Sequence, residues 1–413
     1  MQTPDASVPR RTRLVVAVVL VAMGFTFLAP TRLDIAILLR NIMQGIGVTS
    51  LAAGGLISTA TLIGDGITEP FLGRLSDRWS RRLSLSLGIA LFSFFTLLTA
   101  LAANFTSMLI VRVLLGIGQA MFIPAYFAFL GGAFGRHRGL VLGSLAGLFT
   151  VGAAINPLLT KALFDAGHTW QTPFWYYGVF GLLLAGAVGL VGRGGVYELN
   201  RVPSRNLPAL SLGGLPPSMF LLLITMVFWG LSQYGYLGIY VTYLRTIHHF
   251  SLGAAAGVAS IASWTSFGFS FLGGWLSDRI GRRTSLLIYG LISLGMSIPL
   301  FQWANSFWSA TVFAAIFQAA NGMFYPLGVA YAQDMAEAHR LGWHSGMVSG
   351  TGHIMAGLSG LIVGAFAGAL GFASIGWVFV VASAIMVVAI YFTRDPRSVV
   401  VTAQAQSSEP AAT

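Results

Sequence analysis

The chain has 413 residues, 56% of them hydrophobic and only 8% charged, a composition that excludes an ordinary water-soluble enzyme. Twelve membrane spans of about 20 to 25 residues would use roughly 240 to 300 positions, which leaves no room for a separate catalytic domain. The formal charge of +11 would invite a nucleic-acid reading in a soluble chain, but here the arginines gather at the ends of apolar runs, so no nucleic-acid partner is expected.

The first apolar run follows Arg10, Arg11 and Arg13 and has no small-residue cleavage site, so it reads as a retained helix and not a signal peptide. Apolar runs near 14–39, 50–72, 83–102, 106–133, 139–163 and 172–192 form a first set. A second set lies near 217–244, 252–275, 284–303, 307–331, 343–368 and 371–393. Between them, Arg201, Pro203, Arg205, Pro208 and Pro216 mark a linker. The expected organisation is a tail (1–13), a six-helix bundle (14–192), a linker (193–216), a second six-helix bundle (217–393) and a disordered tail (394–413). Most arginines of the short loops fall on one side if both termini are cytoplasmic, which orients the chain in a cytoplasmic (inner) cell membrane.

Ionisable groups inside such spans are costly, so each invites an explanation. In span 1, Arg32 has the geometry to hold a carboxylate through two parallel hydrogen bonds, or it snorkels to the outer interface; Asp34 beside it is a candidate for protonation. In span 2, Ser58, Thr61, Asp65, Thr68 and Glu69 share one helix face. Asp65 and Glu69, one turn apart, cannot both ionise cheaply in a low dielectric, so they are candidate proton carriers; the alternative is neutralisation by nearby arginines. Span 4 presents Arg112, Gln119 and Tyr126, and span 10 presents Gln318, Asn321 and Tyr325, with Gln119 and Asn321 expected to face each other across a cavity. Asn156 in span 5 joins the candidate binding set. Span 7 carries an aromatic stripe from which Trp229, Gln233 and Tyr236 are candidates, with Trp264 in span 8. His353, about ten residues into span 11, titrates near neutrality or serves only as a hydrogen-bonding group. With no cysteine and only the isolated His248-His249 pair in a loop, no metal and no cofactor are expected.

The two sets repeat. Gly73, Ser76-Asp77-Arg78 and Arg81-Arg82 recur 201 positions later as Gly274, Ser277-Asp278-Arg279 and Arg282-Arg283. At an offset of 202, Met121-Phe122-Ile123-Pro124 matches Met323-Phe324-Tyr325-Pro326. GRLSDRWSRR (73–82) and GWLSDRIGRR (274–283) resemble the signature after helices 2 and 8 of the major facilitator superfamily. The resemblance implies an all-α membrane protein of twelve transmembrane helices in two pseudo-symmetric six-helix bundles. In that family the repeated loop latches one conformation. Gly73 and Gly274 would permit close helix packing, Asp77 and Asp278 would face a helix end or the basic cluster, and Arg78, Arg81, Arg82, Arg279, Arg282 and Arg283 would complete the latch. Arg112 resembles the family's buried arginine, with a role in proton coupling or in anchoring helix carbonyls.

Arg32, the stretch RVLLGIGQAMFIP (112–124) and Arg138-Gly139 resemble the organic anion:cation symporter branch. That branch often carries acids where this chain has Thr31 and Gln119. Drug:proton antiporters have a Gly-Pro and a Gly pair where this chain has Asn156-Pro157 and Leu158-Leu159. The expected function is therefore alternating-access symport of a small organic anion with protons by a monomer in the lipid bilayer. The rivals are a proton-coupled exporter of drugs or lipophilic cations, and a transport-inactive sensor of the same fold. No enzymatic constellation is present.

Overall fold

The computed structural model describes residues 10–199 and 215–394. The parts of the expected tails and linker at 1–9, 200–214 and 395–413, with Arg201, Arg205 and Arg397, lie outside the described residues. Those described form thirteen α-helices and no strand. The first half holds α1 (Arg10–Gly45), α2 (Leu51–Arg78), α3 (Arg81–Ala100), α4 (Phe105–Ala133), α5 (Arg138–Asp165) and α6 (Thr172–Val191). The second holds α7 (Pro217–Thr246), α8 (Leu252–Ile280), α9 (Arg282–Gln302), α10 (Phe307–Asn321), α11 (Phe324–Asp334), α12 (Leu341–Leu370) and α13 (Ile375–Tyr391). Among the described residues, ten stretches are long and apolar enough to cross a membrane, with Phe307–Asp334 counted as one. The acid-bearing α2 and the 17-residue α13 complete twelve spans.

Span 10 departs from the uninterrupted helix expected from its apolar run: it breaks at Gly322-Met323 into α10 and α11. Pro326 has no N–H to donate to the preceding turn, but its equivalent Pro124 sits inside the unbroken α4; the difference is Gly322, where α4 has Ala120, so glycine and proline together loosen this turn.

The duplication extends to the helix starts. Ser50 caps α2 and Ser251, 201 positions on, caps α8; each accepts from the backbone N–H three residues later. Asn104 and Ser107 form a reciprocal capping box on α4, and Ser306 and Ser309, both 202 positions on, form one on α10.

The halves meet along α2 with α12 and along α5 with α8. At Gly73 an added Cβ would lie 3.0 Å from Pro124 and closer still to the backbone of Gly342. At Gly274 it would lie 3.0 Å from backbone atoms of Gly139 and Leu140. Both signature glycines therefore stand where the two halves touch backbone to backbone, as small residues do in packed membrane helices.

Candidate functional site

The α2–α3 and α8–α9 turns close one end of the molecule. Asp77, at the end of α2, accepts from the N–H groups of Gly342 (2.9 Å) and Trp343 (2.8 Å) in the first turn of α12. Asp278, at the end of α8, accepts from Gly139 (3.0 Å) and Leu140 (2.8 Å) in the first turn of α5. Each half thus places a carboxylate on a helix N-terminus of the other, where the backbone donors and the helix dipole favour a negative charge.

The arginines of the two signatures do not form one solvated cluster. Arg81 and Arg282 are fully buried, whereas Arg78 and Arg279 are exposed, with Arg279 lying over the Trp275 ring at 3.9 Å. Arg82 donates to the Gly189 carbonyl at 2.9 Å and Arg283 to that of Tyr391 at 2.6 Å, so both hold neighbouring helix ends. The repeat is also asymmetric. In the second half Arg282 bridges Asp278 (2.7 Å) and Asp334 (3.0 Å), and Asp334 pairs across the seam with Arg138 of α5 (2.6 Å). The position equivalent to Asp334 in the first half is Gly132.

Above this seal lies a cavity of about 460 Å³ between the halves. It extends toward the opposite end, where its wall residues Leu237 and Gly360 are exposed. Arg32 and Arg112 reach its wall from the first half, and Trp229, Gln233, Tyr325 and His353 from the second.

Arg32 does not snorkel to a membrane surface. Its Nε donates to Gln119 Oε1 at 2.6 Å, its Nη2 pairs with Asp65 Oδ2, and its Nη1 lies 3.4 Å from His353 Nε2. His353 Nδ1 in turn lies 3.2 Å from both Asp65 Oδ2 and Glu69 Oε2. Four of the predicted residues, from three helices and both halves, therefore form one contiguous cluster. Gly66 brings the helices together: a Cβ there would lie 2.6 Å from the N of Ile354 and 2.8 Å from the O of Gly350.

The hydrogen bonds specify the imidazole. A guanidinium only donates, so Nε2 must accept and the ring proton sits on Nδ1, facing the carboxylates. The ring is then neutral. Two carboxyl groups thus stand against one guanidinium in a site where Asp65, Glu69 and His353 are all buried, and where Asp65 Oδ1 and Glu69 Oε1 have no hydrogen-bond partner among the described residues. The donor atoms of Asp65, Glu69 and His353 lie within 4.8 Å of one another, a spacing that could surround a metal ion, which the sequence did not suggest. Arg32 opposes that use, because it already supplies Asp65 with a cation, and a metal on Nδ1 would force a proton onto Nε2 against another donor.

Asp34 does not pair with Arg32. It accepts from Thr160 at 2.8 Å and is buried, while Arg112 donates to the Thr31 carbonyl at 2.9 Å and leaves Nε and Nη2 without a hydrogen-bond partner among the described residues. Gln119 and Asn321 do not face each other as expected. Each turns to the first helix of its own half: Gln119 to Thr31 and Arg32, Asn321 to Ser232 and Gln233. Thr31–Ser232 and Arg32–Gln233 are themselves related by 201 positions, so one polar contact has been duplicated and the arginine occurs in only one copy.

Four further candidates lie away from this cavity. Tyr126 is buried in the first-half core, stacked on Phe25 at 4.6 Å. Asn156 accepts from the Tyr177 hydroxyl at 2.9 Å, and Tyr236 stacks on Tyr240 at 4.8 Å. Trp264 is 48% exposed, edge-on to Phe267. In a span whose lipid face and core face are both apolar, helical spacing alone does not say which way a ring points. Tyr234, which sequence reasoning passed over, lines the cavity edge-on to Trp229. It adjoins Gln233 on a different face from the Trp229–Tyr236 stripe, so the stripe pattern could not reveal it.

The family model described as Major Facilitator Superfamily matches residues 14–258 and 219–412. Among curated relatives, the chain is 29% identical over 178 residues to a triacylglyceride transporter of Mycolicibacterium hassiacum, covering 42% of this chain and 33% of that protein. It is 30% identical over 189 residues to a probable L-galactonate transporter of Escherichia coli (44% and 41% covered), and 33% identical over 147 residues to that organism's 3-(3-hydroxy-phenyl)propionate transporter (35% of each). The matched segments thus span well under half the length of these relatives. Among solved structures, the proton:xylose symporter XylE superposes with a TM-score of 0.77 at 15% identity, over 94% of this chain and 97% of that one, which is a likeness of fold. With two pseudo-symmetric six-helix bundles, a signature loop in each and a family match across both, the chain belongs to the Major Facilitator Superfamily.

Proposed function

We propose that this protein is a secondary transporter that carries a small organic anion together with a proton, by alternating exposure of the cavity between its two halves. The observation that carries the reading is the buried cluster of Arg32, Asp65, Glu69 and His353. A dry site holding two carboxylates and one guanidinium is stabilised by one further positive charge, and a proton supplies it at the least steric cost. Arg32 is fully engaged by Gln119, Asp65 and His353, so an incoming carboxylate takes the guanidinium only when Asp65 lets it go. Protonation of Asp65 releases Arg32, and the substrate anion replaces the lost carboxylate. Cargo and proton are thereby required together.

Supporting this reading, the names of two relatives, the L-galactonate and the 3-(3-hydroxy-phenyl)propionate transporters, denote carboxylates. The Asp77 and Asp278 contacts serve as latches that keep the signature end closed while the cavity opens at the other. That end is cytoplasmic, with both termini, in the inner cell membrane, and the unit is a monomer of two bundles joined by the 193–216 linker.

The test is uptake of labelled carboxylates into proteoliposomes with an imposed pH gradient. An inward proton gradient should drive accumulation above equilibrium. Uptake that ignores the gradient would remove the proton from the mechanism, and efflux of a lipophilic cation with no carboxylate transport would replace it with an exporter.

A further inference from the structure

The polar groups around Arg32 have counterparts in the second half, and the counterparts carry no charge. At offsets of 201 and 202, Arg32, Asp65, Glu69 and Gln119 correspond to Gln233, Ser266, Ser270 and Asn321. The first half holds a guanidinium against Gln119 and Asp65, whereas in the second half the guanidinium is gone and oxygen-bearing side chains remain. These oxygens are short of donors. Asn321 spends its amide hydrogens on Ser232 and on Gln233 Oε1 (3.1 Å), which leaves Asn321 Oδ1 buried with no hydrogen-bond partner among the described residues. Gln318 Oε1, one turn earlier on α10, is buried and unpartnered among them too.

The backbone adds to the same pole. α10 ends at Asn321, so its last carbonyls carry the negative end of the helix dipole. Ser266 of α8 reaches this end: a Cβ at Gly322 would lie 2.9 Å from the Gln318 carbonyl oxygen and closer still to Ser266 Oγ. Gln233, Ser266, Gln318 and Gly322 all line the cavity, so the broken turn is reached from it. The first half has no such turn. There α4 runs unbroken past Ala120, and the position of Gln318 is taken by Gly116, packed against the backbone of Thr61 and Asp65.

We infer that the broken turn of span 10 binds a small monovalent metal cation in a shell of neutral oxygens: Gln318 Oε1, Asn321 Oδ1, Ser266 Oγ and the last carbonyls of α10. The ion gives the second half the positive charge that Arg32 gives the first. The C-terminal ends of interrupted helices suit such an ion inside a membrane, because the dipole favours it and freed carbonyls replace its hydration shell. Its charge is limited to one. Neutral oxygens alone do not offset the desolvation of a divalent ion, which takes carboxylates, and this shell holds none. Bridging α8 and the end of α10, the ion stabilises the broken turn whether or not a proton drives the cargo.

The experiment is thermal unfolding of the purified full-length protein in detergent as sodium chloride replaces choline chloride at constant ionic strength. Sodium should raise the melting temperature saturably, by about 2 °C or more at ten times its half-saturating concentration. Gln318→Leu removes one oxygen that has no other partner, so it should raise the half-saturating concentration at least about tenfold. Gln233→Arg gives the second half the guanidinium of the first, and its melting temperature should no longer respond to sodium. Should that variant fail to fold, the salt series on the unaltered protein and on Gln318→Leu decides. Equal melting temperatures in the two salts would overturn the site and leave water as the partner of these oxygens. A sodium response that Gln318→Leu leaves unchanged would overturn the assignment to the broken turn. The measurement uses neither cargo nor proton gradient, so it fails separately from the symport reading.

Discussion

Arg32 has three kinds of nitrogen and a different partner for each: an amide oxygen of Gln119, a carboxylate of Asp65 and the imidazole of His353. A lysine in its place would keep the charge but could not fork toward all three, so Arg32→Lys should lower kcat/KM for the anion by at least about tenfold, as expected where planar bidentate geometry matters. Arg32→Gln should abolish saturable uptake. It also leaves two buried acids without their cation, a loss of about 3 to 5 kcal/mol unless they take up protons, so its melting temperature should fall more at neutral pH than in mild acid. Asp65→Asn tests the order of events from the other side. It imitates the protonated carboxyl and frees Arg32, so exchange of anion across the membrane should persist while accumulation driven by a proton gradient disappears. Counterflow and gradient-driven uptake, measured on the same proteoliposomes, separate the two; accumulation that survives in the variant would show that Asp65 does not carry the proton.

Helix ends govern the next scale. Asp77 and Asp278 each satisfy two backbone donors of a helix in the opposite half, so their worth depends on the closed end staying closed. Replacing either by Asn keeps an acceptor but removes the charge facing the helix dipole, a loss of about 1 kcal/mol or a fivefold shift toward the open end. The chain has no cysteine, so Ser345→Cys, at the seam where Gln333 donates to Ser345 and to the Phe127 carbonyl, gives a single reporter. Asp77→Asn and Asp278→Asn should each speed its labelling from the closed end. Because the two carboxylates hold different helix ends, α12 and α5, the double variant should show the product of the two ratios. Asp334→Asn should act more strongly than either, since it leaves Arg138 and the buried Arg282 facing each other without the anion between them. Much of this was legible in the sequence: the repeated Gly, Asp and Arg marked both loops. The crossed pairing of Asp77 with α12 and of Asp278 with α5 was not, because no spacing within one chain segment states which distant helix lies beside it. For the same reason Asp65 and Glu69 were recognised as a pair on α2, and His353 as an isolated group on α12, but not as one cluster. Trp264, Tyr236, Tyr126 and Asn156 stand outside the cavity wall, a placement their spacing did not reveal because a bilayer weakens the polar-to-apolar contrast by which a helix face is normally read.

Across the whole molecule, sealed and accessible ends are two outcomes of one rocking motion only if opening one closes the other. The backbone contact of Gly73 with Gly342 is the point to test, because it needs a residue without a Cβ and lies one turn from Glu69 on the closed-end side of the cluster around Arg32. A valine there cannot fit against a backbone that leaves no space, so Gly73→Val should wedge the α2–α12 seam apart and destabilise the state seen here. Two reporters read the result: Ser345→Cys at the seam and Leu237→Cys on the accessible wall of the cavity. Rigid halves that pivot about the cavity require the wedge to speed labelling at 345 and to slow it at 237, in the same preparation and by comparable factors. If both positions became more reactive, the halves would simply be separating and the variant would report loss of structure. If 345 alone changed, the two ends would open independently, and a cavity free to open at both ends at once would let the anion run down its own gradient without its proton.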